Sequence, residues 1–247
     1  MEKPWNLTPK EWSSVLQTED DPERTAKNIK TEKLLPWVKN LIDLTAGYKT
    51  VLDLGSGAGQ NSAALALRGK KVSLLDWSKE NIDFSRKLFS SLNLPANFFQ
   101  LDLTKALPFS DKSYDCIFSC GVFEYFEDKQ IKDILKEALR VARKRVIIMV
   151  PNAYSLPYRF GMWYMRLKGR WLWGGERPFY SFKKYFKEAG FATTYEFSVA
   201  AKHSLNFLNI PFGRFIRKAL TLFFRMKEHS KPSFFNQGYL LISVGEK

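Results

Sequence analysis

The chain has 247 residues and carries 39 Lys and Arg against 25 Asp and Glu, a formal net charge of +14. Its apolar fraction of 45% suits one folded domain with elaborations, and no apolar run approaches the ~20 residues that span a bilayer. Two cysteines, Cys116 and Cys120, argue against a disulfide scaffold, and the two histidines, His203 and His229, lie too far apart for a metal-ligand pattern. The opening Met1-Glu-Lys-Pro-Trp-Asn lacks the charged-then-apolar layout of a secretion signal, so the cytoplasm is the expected compartment. The charge is uneven: residues 1–139 carry −1 and residues 140–247 carry +15. That excess draws the later half toward anionic partners, or serves solubility alone.

Residues 1–45 read as a peripheral helical cap. Thr8-Pro-Lys-Glu11 has the form of a helix start, and the stretch from Thr25 to Leu44 places apolar residues near helical spacing. From position 50 strands and helices alternate. Strands are expected at Thr50–Leu54, Lys71–Leu75, Asn97–Leu101, Asp115–Ser119 and Arg145–Val150. Helices are expected at Gln60–Arg68, from the Ser78 cap to Leu92, and at Ile131–Val141. A helix at Ser181–Ala189 ends near Gly190, and Phe191–Val199 and Gly238–Val244 close the pattern as strands. Such alternation predicts a doubly wound α/β domain.

Two segments interrupt it. Residues 152–180 are aromatic and punctuated by glycine, and residues 201–237 separate the last two strands by far more than a hairpin loop. Within the second, Phe212–Glu228 is amphipathic. Phe212, Phe215, Ile216, Ala219, Leu220, Phe223 and Met226 share one face, opposite Arg214, Arg217, Lys218, Thr221, Arg225 and Glu228. It reads either as a surface helix with its apolar face on the core or as a segment that docks on an anionic membrane.

The segment Val51-Leu-Asp-Leu-Gly-Ser-Gly-Ala-Gly-Gln60 carries the most chemical information. A strand runs into a turn where Gly55, Gly57 and Gly59 leave the backbone bare for close approach to a ligand. A dinucleotide turn would place its third glycine at Gln60, and no G-K-[ST] phosphate loop follows. Further candidates sit at later strand ends: Asp76 and Trp77, Asp102 and Leu103, then Ser119-Cys120-Gly121.

In this order the residues resemble the class I S-adenosylmethionine (SAM) methyltransferases, over roughly residues 45–200. Asp53, Gly55, Ser56, Gly57 and Gly59 match the first motif, Asp76 the acid after the second strand, and Asp102 the residue that reads adenine. Val150-Pro151-Asn152 is similar to the "type 11" branch, which includes quinone-biosynthesis and lipid-like small-molecule methyltransferases. The resemblance implies a Rossmann-like seven-stranded, mostly parallel sheet with a final antiparallel strand and helices on both faces. Residues 46–151 are then the SAM-binding core, and 152–180 and 201–237 are substrate-side insertions in a single domain.

The implied cofactor is SAM. Asp76 would hold the ribose, Trp77 and Leu103 the adenine, and Cys120 the sulfonium end. Methyl transfer to a small, hydrophobic acceptor is expected, with peripheral membrane association. An RNA methyltransferase using the basic half, or a non-catalytic SAM-binding module, are the alternatives. Where relatives place His after Glu124 this chain has Tyr125, so Glu124, Tyr125 and the loop histidine His203 are the candidates for moving a proton. Tyr125 also reads as a packing aromatic. The absence of an Asn/Asp-Pro-Pro-Tyr/Phe turn after strand four speaks against methylation of exocyclic base amines.

Overall fold

The structure, a computed structural model, describes residues 21–247 except 172, 211 and 225. The expected helix start at Thr8 lies outside the described residues. Seven strands form one sheet: β1 (Thr50–Leu54), β2 (Lys71–Asp76), β3 (Asn97–Gln100), β4 (Tyr114–Cys120), β5 (Ala142–Pro151), β6 (Thr193–Val199) and β7 (Leu240–Glu246). Their spatial order is β3-β2-β1-β4-β5-β7-β6. The first five run parallel, and β7 lies antiparallel between β5 and β6. The strand order reverses between β1 and β4, where open α/β sheets gather ligands at the strands' carboxyl ends.

The sheet is covered on both faces because its strands alternate two apolar sets. Val51, Ile147, Met149 and Ile242 pack with α1 (Pro22–Lys30), α2 (Val38–Leu44), α3 (Gln60–Ala66) and α4 (Lys79–Leu92). Leu52, Leu54, Ile148 and Val150 pack instead with α5 (Asp128–Val141) and α7 (Lys183–Ala189). Near-continuous apolar strands are what burial on two faces demands.

Local chemistry sets the helix limits. Ser78 caps α4 by accepting from the Asn81 amide at 3.2 Å. Glu127 and Gln130 form a capping box at the start of α5. The stretch from Thr25 to Leu44, expected to be helical, divides into α1 and α2. Pro36 supplies no amide proton and biases Leu35 to extended backbone, so the helix cannot run through.

The insertions differ most from expectation. Residues 152–180 contain a full helix, α6 (Leu156–Leu167), with Pro157 in its first turn. The second insertion holds a short α8 (Ala201–Ser204), a 3₁₀ turn at Leu205–Leu208 and α9 (Gly213–Phe223). The amphipathic helix therefore stops at Phe223, and Phe224 is extended. Glu228 lies beyond it, and its carboxylate accepts the Ala200 and Ala201 amides at 2.5 and 2.9 Å, serving the start of α8. Both α6 and α9 pack on the 3₁₀ turn, which joins the two insertions.

Phe182 is fully buried and contacts the rings of Phe123, Phe179, Tyr185 and Phe186. It locks α7 against the turn that follows β4. Phe182→Ala is expected to cost about 3–5 kcal/mol of stability through the cavity it leaves. Urea unfolding measures the loss, and a change well under that range would show that the neighbouring rings collapse into the space.

Candidate active site

The glycine turn joins β1 to α3 and is tied to the tip of β2. The amides of Gly55 and Ser56 donate to the Leu75 carbonyl at 2.8 and 3.0 Å. The Gly57 amide donates to Asp76 Oδ2 at 2.8 Å, and Ser85 Oγ donates to the Gly57 carbonyl. All three turn glycines have positive φ. At Gly59 a Cβ would also fall 2.7 Å from Ser85 Oγ and 2.9 Å from Leu74 Cδ2, so both conformation and space require glycine. Val122, just past β4, closes over Gly55.

Two acids sit beneath this turn. Asp53 is buried and accepts from Ser62 Oγ at 2.7 Å, and its pKa is pushed up to about 8 by burial and by the charge of Asp76. Asp76 is buried too; besides Gly57 it accepts from the Ser78 amide and Asn81 Nδ2 at 2.9 and 3.2 Å. Burial pushes its pKa up, and these bonds pull it back. None of these partners is cationic, so a positively charged ligand would gain from both carboxyls. Ser56 Oγ, Asn61 Oδ1 and Glu124 Oε2 are buried with no hydrogen-bond partner among the described residues. Ser56 lies in the glycine turn, Asn61 on the helix that follows it and Glu124 just past β4, and orphaned polar atoms of this kind are what a polar ligand would satisfy.

Farther along, Trp77 and Asp102 are half-buried and Leu103 is buried. Asp102 Oδ1 accepts from the Thr104 amide and hydroxyl at 3.0 and 2.8 Å, which turns that oxygen into its own loop. Cys120 is half-buried, and burial with the charges of Glu124 and Asp53 pushes its thiol up, so it stays protonated. Cys116 is fully buried and equally inert.

Beyond β4 lies a second buried group that joins the two halves of the chain. Glu124 and Tyr125 occupy a 3₁₀ turn, both buried. Tyr125 donates to Glu176 Oε2 at 3.2 Å, and Tyr158 of α6 donates to Glu176 Oε1 at 2.7 Å. Glu176 is buried, which raises its pKa to about 7 against the pull of both tyrosines and Arg166. The Glu124 pKa is raised well above the usual carboxylate range by burial and by Glu176. A cleft of about 330 Å³ runs along residues 124–128, with Gly175 and Arg177 as its far wall.

These features meet known proteins at one point. Residues 51–145 match the family described as the methyltransferase domain. That matched segment, 95 of the 247 residues, is similar to a methyltransferase domain. A tRNA U34 carboxymethyltransferase of Ruthia magnifica subsp. Calyptogena magnifica is 30% identical over 152 residues, 53% of this chain. This chain spans only 46% of that relative's length. A SAM-dependent methyltransferase from Archaeoglobus fulgidus superposes with TM-score 0.60 at 16% identity, covering 85% of this chain and 91% of its own. The magnesium protoporphyrin IX methyltransferase of Synechocystis PCC 6803, solved with bound SAH, gives 0.54 at 16% identity, covering 85% and 81%. These likenesses establish the class I methyltransferase fold around the domain.

The structure brings the glycine turn, Asp53, Asp76 and Cys120 at the end of β4 near one another. His203 differs from the expectation of a loop residue. It lies on α8, half-buried, with ring contacts to Trp37 at 5.6 Å and Tyr239 at 5.6 Å. Tyr239 in turn contacts Tyr158 at 5.3 Å, so aromatic rings connect His203 to the Glu176 group. The residues that sequence reasoning missed are Val122, Asn61, Tyr158, Tyr239 and Glu176. Glu176 had one available signal: it is the sole acid among residues 152–180.

Glu176 also sets a pH dependence. Its pKa rises from the ordinary 4.5 to about 7 on folding, so the folded chain holds a proton that the unfolded chain releases. Stability from this group is full below pH 4.5 and is lost as pH rises through about 7. Glu176→Gln is expected to remove roughly 3 kcal/mol of that decline. Urea midpoints at about pH 5 and about pH 8 check it; equal slopes for both proteins would mean Glu176 titrates normally.

Proposed function

We propose that the chain is a SAM-dependent methyltransferase that acts on a small, apolar or lipid-like acceptor. The observation that carries this reading is the bare glycine turn, bonded through Gly57 to the buried Asp76, with Ser56 Oγ and Asn61 Oδ1 in and just after it unpartnered among the described residues. The bare backbone of residues 55–59 would pack closely against the amino-acid tail. Asp76 would accept from the ribose, and Trp77, Asp102 and Leu103 would frame the adenine. Cys120 and Gly121 would line the sulfonium end. Bound SAM supplies a methyl carbon already activated for in-line displacement by an acceptor lone pair. The protein's part is then alignment and exclusion of water.

The acceptor is assigned to the side of Glu124, Tyr125 and the cleft beside them. Glu124 Oε2 has no hydrogen-bond partner among the described residues, so it would be free to take a hydroxyl or amine hydrogen from the acceptor. Glu176 acts as a positioning residue that holds Tyr125 and Tyr158. His203 is held among aromatic rings, which favours a packing role, and its pKa is lowered by burial. A second reading, an RNA methyltransferase, is favoured by the tRNA-modifying relative and by the +15 charge of residues 140–247. Salt-sensitive RNA binding would support it.

Calorimetry is expected to detect binding of SAM and SAH, and Asp76→Ala is expected to weaken SAH by about tenfold to hundredfold. Binding of NAD in place of both would overturn the reading. With an acceptor in hand, Glu124→Gln should lower kcat by about 10²-fold or more while SAH affinity holds. Unchanged kcat across pH would remove Glu124 from proton transfer.

A further inference from the structure

We propose that the outer face of α9, continued by the end of α6, docks on an anionic lipid bilayer. Such docking rests on the reading of a lipid-like acceptor and names the surface that would present it. An ordinary surface helix turns its apolar stripe inward. In α9 the described residues do the opposite: Phe215, Leu222 and Phe223 are 73–78% exposed, and Phe212 just before the helix is 79% exposed. Phe215, Ala219, Leu222 and Phe223 recur at helical spacing and make one outward stripe. Arg214 and Lys218 are exposed alongside it, whereas Ile216 and Leu220 are half-buried on the inner side. Trp163 and Leu167 of α6 are 54% and 65% exposed and stand one turn apart. Both helices pack on the same 3₁₀ turn, so the patch belongs to one united insertion.

Charge identifies the partner. The segments 152–180 and 201–237 hold twelve Lys and Arg against two Glu. Of these two acids only Glu228 is exposed. Glu176 is buried among tyrosines, and Glu228 commits its carboxylate to the Ala200 and Ala201 amides. Basic flanks beside bulky apolar side chains fit phosphate headgroups above and acyl chains below. Leu167 and Leu222 offer no face for base stacking, which favours lipid over RNA. Among the described residues no helix is long and apolar enough to cross a membrane, so the contact is interfacial. Tyr158 of the acceptor cluster lies on the same α6, and its ring contacts Phe207 of the 3₁₀ turn on which α9 packs.

The test uses the full chain with vesicles of phosphatidylcholine, with or without phosphatidylglycerol, in co-sedimentation. Binding is expected only to the anionic vesicles and should fall as salt is raised. Arg214→Gln with Lys218→Gln should weaken it by about thirtyfold, the loss of two basic contacts at the headgroups. Phe215→Ser with Phe223→Ser should weaken it by about tenfold or more. SAH titration of the same samples reports folding and the enzyme reading separately. Vesicle binding without SAH binding would support the docking face and sink the methyltransferase reading. SAH binding with no preference for anionic vesicles would overturn the docking face. So would RNA binding indifferent to the Phe pair with vesicles ignored, or a dimer abolished by that pair.

Discussion

The hydrogen bond from the Gly57 amide to Asp76 is the contact on which the ligand end of the sheet depends. A glycine turn alone is a loose bend, because glycine gives up more backbone freedom on ordering than any other residue. Here the bend is bonded to the Leu75 carbonyl and the Asp76 carboxylate at the tip of β2, so β1 and β2 present one rigid corner. The same carboxylate also takes the Ser78 amide and Asn81, which orients the start of α4. One buried acid thus sets the position of a loop, a strand end and a helix. Its cost is desolvation, shared with Asp53 close by, and a cationic ligand in that corner would offset both.

The core was legible in the sequence because its signals are local. Val51–Leu54, Lys71–Leu75 and Arg145–Val150 are short apolar runs bounded by turns, and each became a strand of a sheet covered on both faces. Ser78 and the glycine turn mark boundaries through chemistry that a few neighbouring residues determine. The stretch from Thr25 to Leu44 shows the limit of periodicity, since Pro36 overrides apolar spacing that would otherwise continue a helix.

The acceptor side was less legible because its geometry is made by distant residues. Glu124 and Glu176 are fifty-two positions apart and meet only when α6 and the segment after it fold back across the turn beyond β4. No local pattern encodes such a meeting. The helix α6 was hidden as well, since its run from Leu156 to Leu167 mixes aromatic, basic and glycine residues without a clean stripe. Likewise Glu228 looked like part of a polar helix face, but its carboxylate found two unpaired amides at Ala200 and Ala201. Backbone donors at a helix start outcompete solvent for a nearby acid.

The burial of Glu176 links the fold to its surface. In the insertions Glu176 is buried under tyrosine hydroxyls while Glu228 stays exposed with its carboxylate on backbone amides, and most of the described basic residues are exposed, Arg177 and Arg217 being half-buried. Burying Glu176 leaves the exterior of the insertions more cationic than their composition alone would give. An inner acidic cluster suits a proton-bearing acceptor, and an outer basic, aromatic face suits an anionic amphiphile. On the reading proposed above, an acceptor with a polar reactive head and an apolar tail would match both environments, its head meeting carboxyls and its tail the phenylalanines of α9.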